Sequence, residues 1–297
     1  MDMLDKRLSG PIFRLQLGTV LECLLSVPGC AFGMPAFHAV APTILAFVLC
    51  SGDFAAPPRA MVAFGCIAAA LLAFWTYIHL RGSPKLMHHL HGTVALLLSP
   101  SVGVALLLQV AESDVRARNS GLLYLVLWYL SIVPVLTLKS VAGRRRPVAS
   151  DPKHIGDEAA AAAGCKALSK IPAMHKAGDG NSSFPSGDVA GVVAFAYPLL
   201  RCSGSSLWPP LVACACIALS AFGRMYFQAH HLMDVTIGGL CAALMGLLFE
   251  FVSTGLVGDV CTMPRQWWEP AAAFGVLVVW AKASKVSSAA PGGKKIE

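Results

Sequence analysis

The residues best equipped for chemistry in this 297-residue chain form one polar island, Gly223-Arg-Met-Tyr-Phe-Gln-Ala-His-His-Leu-Met-Asp234, between apolar runs at 207–222 and 235–254. An ionisable group at the end of a membrane helix is costly unless it has a partner or a task. A helix beginning near His230 puts Asp234 one turn on, at the i,i+4 spacing that brings two side chains to one face. There a carboxylate can accept the imidazole N–H and decide which ring nitrogen stays free. Arg224 adds a permanent planar cation suited to holding an anion such as phosphate. On this stretch alone, a plain helix-end ion pair with an interfacial arginine accounts for the residues equally well.

Two other polar clusters end or open apolar runs. Lys139-Ser-Val-Ala-Gly-Arg-Arg-Arg146-Pro147 follows the run 121–138 and supplies a flexible point charge and a forked cation. Phe184-Pro185-Ser186-Gly187-Asp188 opens the run 189–200. Its Ser186 hydroxyl and Gly187 amide can cradle an oxyanion at the positive end of a helix dipole. If the runs cross a bilayer in turn, all three clusters come to the same side.

The composition requires such runs. Hydrophobic residues make up 56% of the chain and charged residues 13%, where soluble globular domains carry about a quarter. The expected fold class is all-α: a polytopic membrane protein with six transmembrane helices in its core. Spans are expected at 60–80, at 92–111 with a kink at Ser99-Pro100-Ser101, at 121–138, at 189–200, short unless Pro185–Asp188 form its first turn, and at 207–222 and 235–252. The predicted domain organisation is a basic arm and membrane hairpin at 1–59, a six-helix catalytic core at 60–254, and an interfacial segment with a basic tail at 255–297. The stretch 270–281 is about 18 Å long as a helix, too short to span, which predicts Trp267, Trp268 and Trp280 at headgroup level. The net charge of +7 suits anionic lipid or an anionic substrate, and nothing resembles a nucleic-acid-binding motif. Most of the ten cysteines lie in or beside apolar runs, where they act as small apolar side chains. Cys165 and Cys261 are expected to be free, and no Cys/His spacing indicates a metal, so neither a metal nor a cofactor is expected.

Taken in order, Lys139 with Arg146-Pro147, then Pro185-Ser186-Gly187, then Arg224, His230 and Asp234 resemble the three-part signature of the type 2 phosphatidic acid phosphatase (PAP2) superfamily. The resemblance covers roughly 60–254. It implies a lipid phosphate or diphosphate phosphatase, metal-independent, with His230 as the nucleophile that becomes a phosphohistidine. Asp234 would hold its imidazole, while Lys139, Arg146, Ser186, Gly187 and Arg224 bind the phosphoryl oxygens. Phosphoryl transfer is catalysed mainly by positioning and electrostatics, which fixed cations and amide donors supply. The same resemblance leaves open a lipid headgroup phosphotransferase or a catalytically silent lipid-binding homologue.

Two positions depart from the family pattern. Gly223 stands where the family has serine, and Asp188 where it has the histidine that protonates the leaving oxygen. An aspartic acid has an unperturbed pKa near 3.9 against about 6.5 for histidine. Asp188 is therefore an acid whose pKa is raised, or the substrate is a diphosphate whose leaving group needs little protonation, or hydrolysis is lost. His231 is expected on another helix face, and Arg144 and Arg145 as a solvated basic run. His88, His89 and His91, and His154 and His175 in the long loop 140–184, read as interfacial or loop histidines. The tail Lys294-Lys295-Ile296-Glu297 resembles a dilysine retrieval signal, which predicts the endoplasmic reticulum and, with a non-spanning 270–281, a lumenal site. The basic residues of the motif side favour the cytosol instead.

Overall fold

The computed structural model describes residues 2–33, 35–49, 99–111, 114–144, 146–147 and 182–264, with isolated positions between 62 and 73 and at 266 and 268. Described helices are α1 (Asp2–Arg14), α2 (Thr19–Cys30), α3 (Pro35–Leu49), α4 (Ser99–Val110), α5 (Val115–Ala142), α6 (Gly187–Arg201), α7 (Trp208–Tyr226) and α8 (Leu232–Val257), with a 3-10 turn at Ala31–Gly33. Among the described residues there is no strand, and the all-α architecture holds.

Local chemistry sets the helix ends. Asp114 caps α5 by accepting from Ala117 N at 2.9 Å, and Gly143, at φ 56, turns the chain out of the helix in the left-handed conformation that glycine tolerates. Ser186 caps α6 through its hydroxyl, which accepts from Val189 N at 3.4 Å. Prolines at the first turn of α7 sit where no helical N–H is lost.

Among the described residues, three helices are long and apolar enough to cross a membrane: Val115–Ala142, Trp208–Tyr226 and Leu232–Leu256. The pair Thr19–Gly33 and Phe37–Leu49, meeting at 103°, passes the same test as one broken span. Large apolar side chains such as Leu244, Leu247 and Phe251 stay exposed on α8, as a lipid-facing surface requires. The chain is an integral membrane protein. Most of the expected span 60–80, the start of 92–111 (92–98), His88, His89 and His91, the loop 148–181 with its histidines, and the tail lie outside the described residues.

Helix α6 is the hub, packing against α3, α5, α7 and α8. Its 15 residues make about 22 Å of helix, less than a full hydrocarbon crossing of about 30 Å. Glycines allow the close approaches. Helix α2 lies on α7 where Gly29 faces Gly223, and a Cβ at Gly29 would stand 3.2 Å from the Gly223 Cα. Gly238 of α8 lies against the Ser186 backbone, leaving no room for a side chain.

Several expectations need correcting. Cys202 and Cys261 are neither free nor inert: they form a disulfide with Cα atoms 5.6 Å apart, joining the end of α6 to the turn after α8. Asn119 braces that turn through bonds from its side-chain N–H to Met263 O (2.8 Å) and Cys261 O (3.3 Å). Trp268 is enclosed by protein rather than presented at a surface. It is 1% exposed and stacks on Phe249, which lies two turns, about 12 Å, inside the end of α8. A large apolar side chain with Leu122, Leu125 and Val126 at hand gains more by burial there than at the interface.

Candidate active site

Helix α7 runs four residues beyond its apolar stretch, so Arg224 sits in its last turn. The chain then turns through Phe227–His231, with Gln228 at φ 54, and re-enters as α8 at Leu232. His231 is the N-cap residue rather than a neighbour on a helix face, and Asp234 is the third residue of the helix, accepting from His231 N at 2.8 Å. His230 therefore stands just outside α8, at the positive end of its dipole.

The imidazole of His230 is 1% exposed, and its tautomer is fixed from both sides. Nδ1 lies 2.8 Å from the Ser183 carbonyl, which can only accept, so Nδ1 carries the hydrogen. Nε2 faces Arg146 Nη1 at 3.3 Å, and a guanidinium can only donate, so Nε2 offers its lone pair. Asp234 Oδ2 is 3.7 Å from Nδ1. Its i,i+4 proximity is as expected, but the Ser183 carbonyl, not Asp234, takes the short bond. Burial pulls the imidazole down from its usual 6.5 to about 4, the nearby Asp188 and Asp234 carboxylates raise it, and Arg146 and Arg224 lower it further. Near neutral pH the ring is an uncharged base.

Opposite Nε2 stands Asp188, at the first turn of α6. Its Oδ2 is 3.7 Å from His230 Nε2 and 3.3 Å from Arg224 Nε. The Arg224 side chain is fully buried and reaches α2, donating from Nη1 to Gly29 O at 3.3 Å. Gly33, at the end of the 3-10 turn, lies directly under the carboxylate, and a Cβ there would overlap Asp188 Oδ1. Arg146, 8% exposed, also donates to Ala229 O at 3.1 Å, which aims it at the ring.

Five of the expected site residues thus converge: His230, Asp234, Asp188, Arg146 and Arg224. Lys139 is one step back, its Nζ donating at 2.7 Å to Ser182 O, the neighbour of the carbonyl that holds His230. Ser186 donates its backbone N–H to Asp234 O at 2.8 Å, and its hydroxyl serves as the α6 cap. Gly187 opens α6 directly after it. Among the described residues no group of three His, Cys, Asp or Glu side chains could hold a metal ion.

Sequence reasoning missed three participants. The Ser183 carbonyl is backbone and leaves no trace in residue type. Gly33 looks like any loop glycine. Arg144 is not a solvated arginine: its Nη1 lies 2.7 Å from Asp234 Oδ1 and its Nη2 lies 2.7 Å from Asp5 Oδ2.

Comparison with protein families matches residues 120–254 to the family model of the PAP2 superfamily. No curated protein and no solved structure matches the chain. The matched stretch runs from α5 to near the end of α8 and holds Lys139, Arg146, Ser186, Asp188, Arg224, His230 and Asp234. Residues 120–254 are thus similar to the PAP2 superfamily, whose members generally hydrolyse phosphate esters.

Proposed function

We propose that the protein hydrolyses a lipid phosphate or a lipid or polyprenyl diphosphate through a phosphohistidine on His230. The observation that carries this is the presentation of a neutral Nε2, its tautomer fixed by Ser183 and Arg146, toward the Asp188–Arg224 pair. A phosphoryl group entering between Nε2 and Asp188 would meet Arg146 and Arg224 as fixed positive charge. Those guanidinium groups supply the charge neutralisation, so turnover is expected without added metal.

In the first step Nε2 forms the N–P bond while the bond from phosphorus to the leaving oxygen breaks. That oxygen takes a proton from Asp188 as a carboxylic acid, or departs as a phosphate anion if the substrate is a diphosphate. Water then attacks phosphorus and passes a proton to the Asp188 carboxylate. The N–P bond breaks, inorganic phosphate leaves, and His230 is restored. In-line attack needs reacting atoms about 3–3.5 Å apart and an acid about 2.6–3.2 Å from the leaving oxygen. Together these exceed the 3.7 Å now separating Nε2 from Oδ2, so the carboxyl must draw back as substrate enters.

The test is a panel of lipid mono- and diphosphates assayed in detergent with EDTA, comparing the native chain with His230→Ala. Hydrolysis should vanish in the variant, and turnover persisting there overturns the mechanism.

The tail Lys294-Lys295 supports residence in the endoplasmic reticulum. That signal is read only in the cytosol, so with a non-spanning 270–281 it favours a lumenal site. For sidedness the Cys202–Cys261 bridge weighs more. It closes at the ends of α6 and α8 remote from His230, and disulfides persist in oxidising compartments. With the basic Lys139–Arg146 segment at the other face, this supports a site open to the cytosol rather than the lumen.

A further inference from the structure

The N-terminal helix α1 lies outside the family match, yet it touches the start of α8 at three points. Asp5 Oδ1 accepts from Met233 N at 3.0 Å, and Ser9 Oγ accepts from Leu232 N at 2.9 Å. These are two of the first N–H groups of α8, which have no partner within their own helix. Asp5 and Ser9 are one turn apart on α1, so the pair acts as a cap delivered from a distant segment. The third point is ionic. Asp5 is 2% exposed and Asp234 fully buried, and the Arg144 fork bridges them with one 2.7 Å contact to each.

Arg144 reaches the catalytic imidazole by a second route. Its backbone carbonyl accepts from Ser183 N at 2.7 Å, and its own N–H donates to Ser182 Oγ at 3.0 Å. Ser183 is the residue whose carbonyl takes the His230 Nδ1 hydrogen. One arginine thus ties down both groups beside Nδ1, the Ser183 carbonyl and the Asp234 carboxylate, and Asp5 on α1 anchors its other prong.

We propose that α1 belongs to the positioning machinery of the site: Asp5, through the Arg144 guanidinium, holds Asp234, Ser183 and the first turn of α8 in the register that aims His230. This rests on the reading of His230 as nucleophile. Asp5 and Arg144 act through other residues and touch no reacting atom. A side chain that orients a nucleophile raises the rate of the chemical step and has little effect on substrate binding. Misplacement of a reacting group by about 1 Å costs about 100-fold.

The decisive variant is Asp5→Asn, in which the amide oxygen can still accept from Met233 N while the charge facing Arg144 is gone. In full-length protein, kcat falls about 10- to 100-fold with KM within about twofold. Arg144→Lys is no milder, because an ammonium lacks the planar fork that bridges two carboxylates. The double variant Asp5→Asn/Arg144→Gln is no slower than the worse single one, as expected when both act in one unit. A kcat within twofold of native in Asp5→Asn overturns the proposal. So does a raised KM at constant kcat, which would make Arg144 a substrate ligand. His230→Ala is run alongside: if it is dead while Asp5→Asn keeps full kcat, the phosphohistidine reading stands and the positioning role falls. If the native chain hydrolyses no substrate, the functional reading fails, and positioning is still read from the ring 15N resonances of His230, assigned by their loss in His230→Ala. Asp5→Asn shifts those resonances if the network aims the ring, and unchanged resonances overturn the proposal.

Discussion

Replacing Asp188 with asparagine should make the protein bind phosphate more tightly while making it a poorer phosphatase. The Asp188 carboxylate lies 3.3 Å from Arg224 Nε and 3.7 Å from His230 Nε2, where a phosphoryl oxygen would sit between cation and nucleophile. Ionised in the resting site, it competes with substrate for the same cation. The entering phosphate's negative charge favours its protonated form, so that it takes up the proton it then donates. A substrate anion about 4 Å from the ionised carboxylate feels a repulsion of about 1 kcal/mol in water and about 4 kcal/mol at an effective dielectric constant of 20. A middle value of about 2 kcal/mol corresponds to roughly 30-fold in affinity. The Asp188→Asn amide would keep the shape against Gly33 and remove the charge. Inorganic phosphate binding, measured by calorimetry in detergent, should tighten by that factor, and the rate with a lipid monophosphate should fall by about 100- to 10,000-fold because the proton donor is gone. A diphosphate, whose leaving group tolerates its charge, should lose much less. Unchanged or weaker phosphate binding would refute the shared-space argument, and equal losses on both substrates would refute the acid role.

Three further outcomes can be checked. Because burial holds His230 near 4, its imidazole stays neutral from pH 8 to pH 5, and kcat/KM for a diphosphate, which needs no proton from Asp188, should stay flat until about pH 4 once corrected for substrate ionisation; a limb breaking near 6.5 would contradict the buried ring. The same lowering makes the fold acid-sensitive. Above 6.5 neither state is protonated, and between 6.5 and 4 only the unfolded chain takes up the proton. Stability therefore falls as pH drops through that window and levels off below it, by about 3 kcal/mol at about 1.4 kcal/mol per pH unit. For sidedness, an Asn-X-Thr acceptor on a flexible insert at the Ser203–Ser206 turn, beside the disulfide, should be glycosylated in microsomes; an unmodified insert would return the catalytic face to the lumen.

What was legible in the sequence was chemistry tied to residue type and short spacing. His230 and Asp234 are four apart and lie 3.7 Å from one another, and Arg146 and Arg224 are both buried beside them. The helical class followed from apolar runs alone, although helix ends moved outward. Helix α5 begins at Val115 rather than 121 because Asp114 caps it, and α7 runs on through Arg224. What stayed hidden depends on contacts between distant segments. Nothing in a basic arm announces that Asp5 and Ser9 will cap a helix more than 220 residues away. Arg144 and Arg145 look alike on paper, and only packing gives Arg144 two carboxylates. Cys202 and Cys261 read as unrelated because 59 positions separate them, and only the return of α8 alongside α6 brings them together.

The family match begins at residue 120, but the Asp188 carboxylate is seated on Gly33, well upstream of it. A single methyl group at that position would evict the carboxylate without altering any motif residue. A side chain at Gly33 is therefore expected to disturb the candidate site, and a version trimmed to the matched stretch would lack the residue that Asp188 packs against.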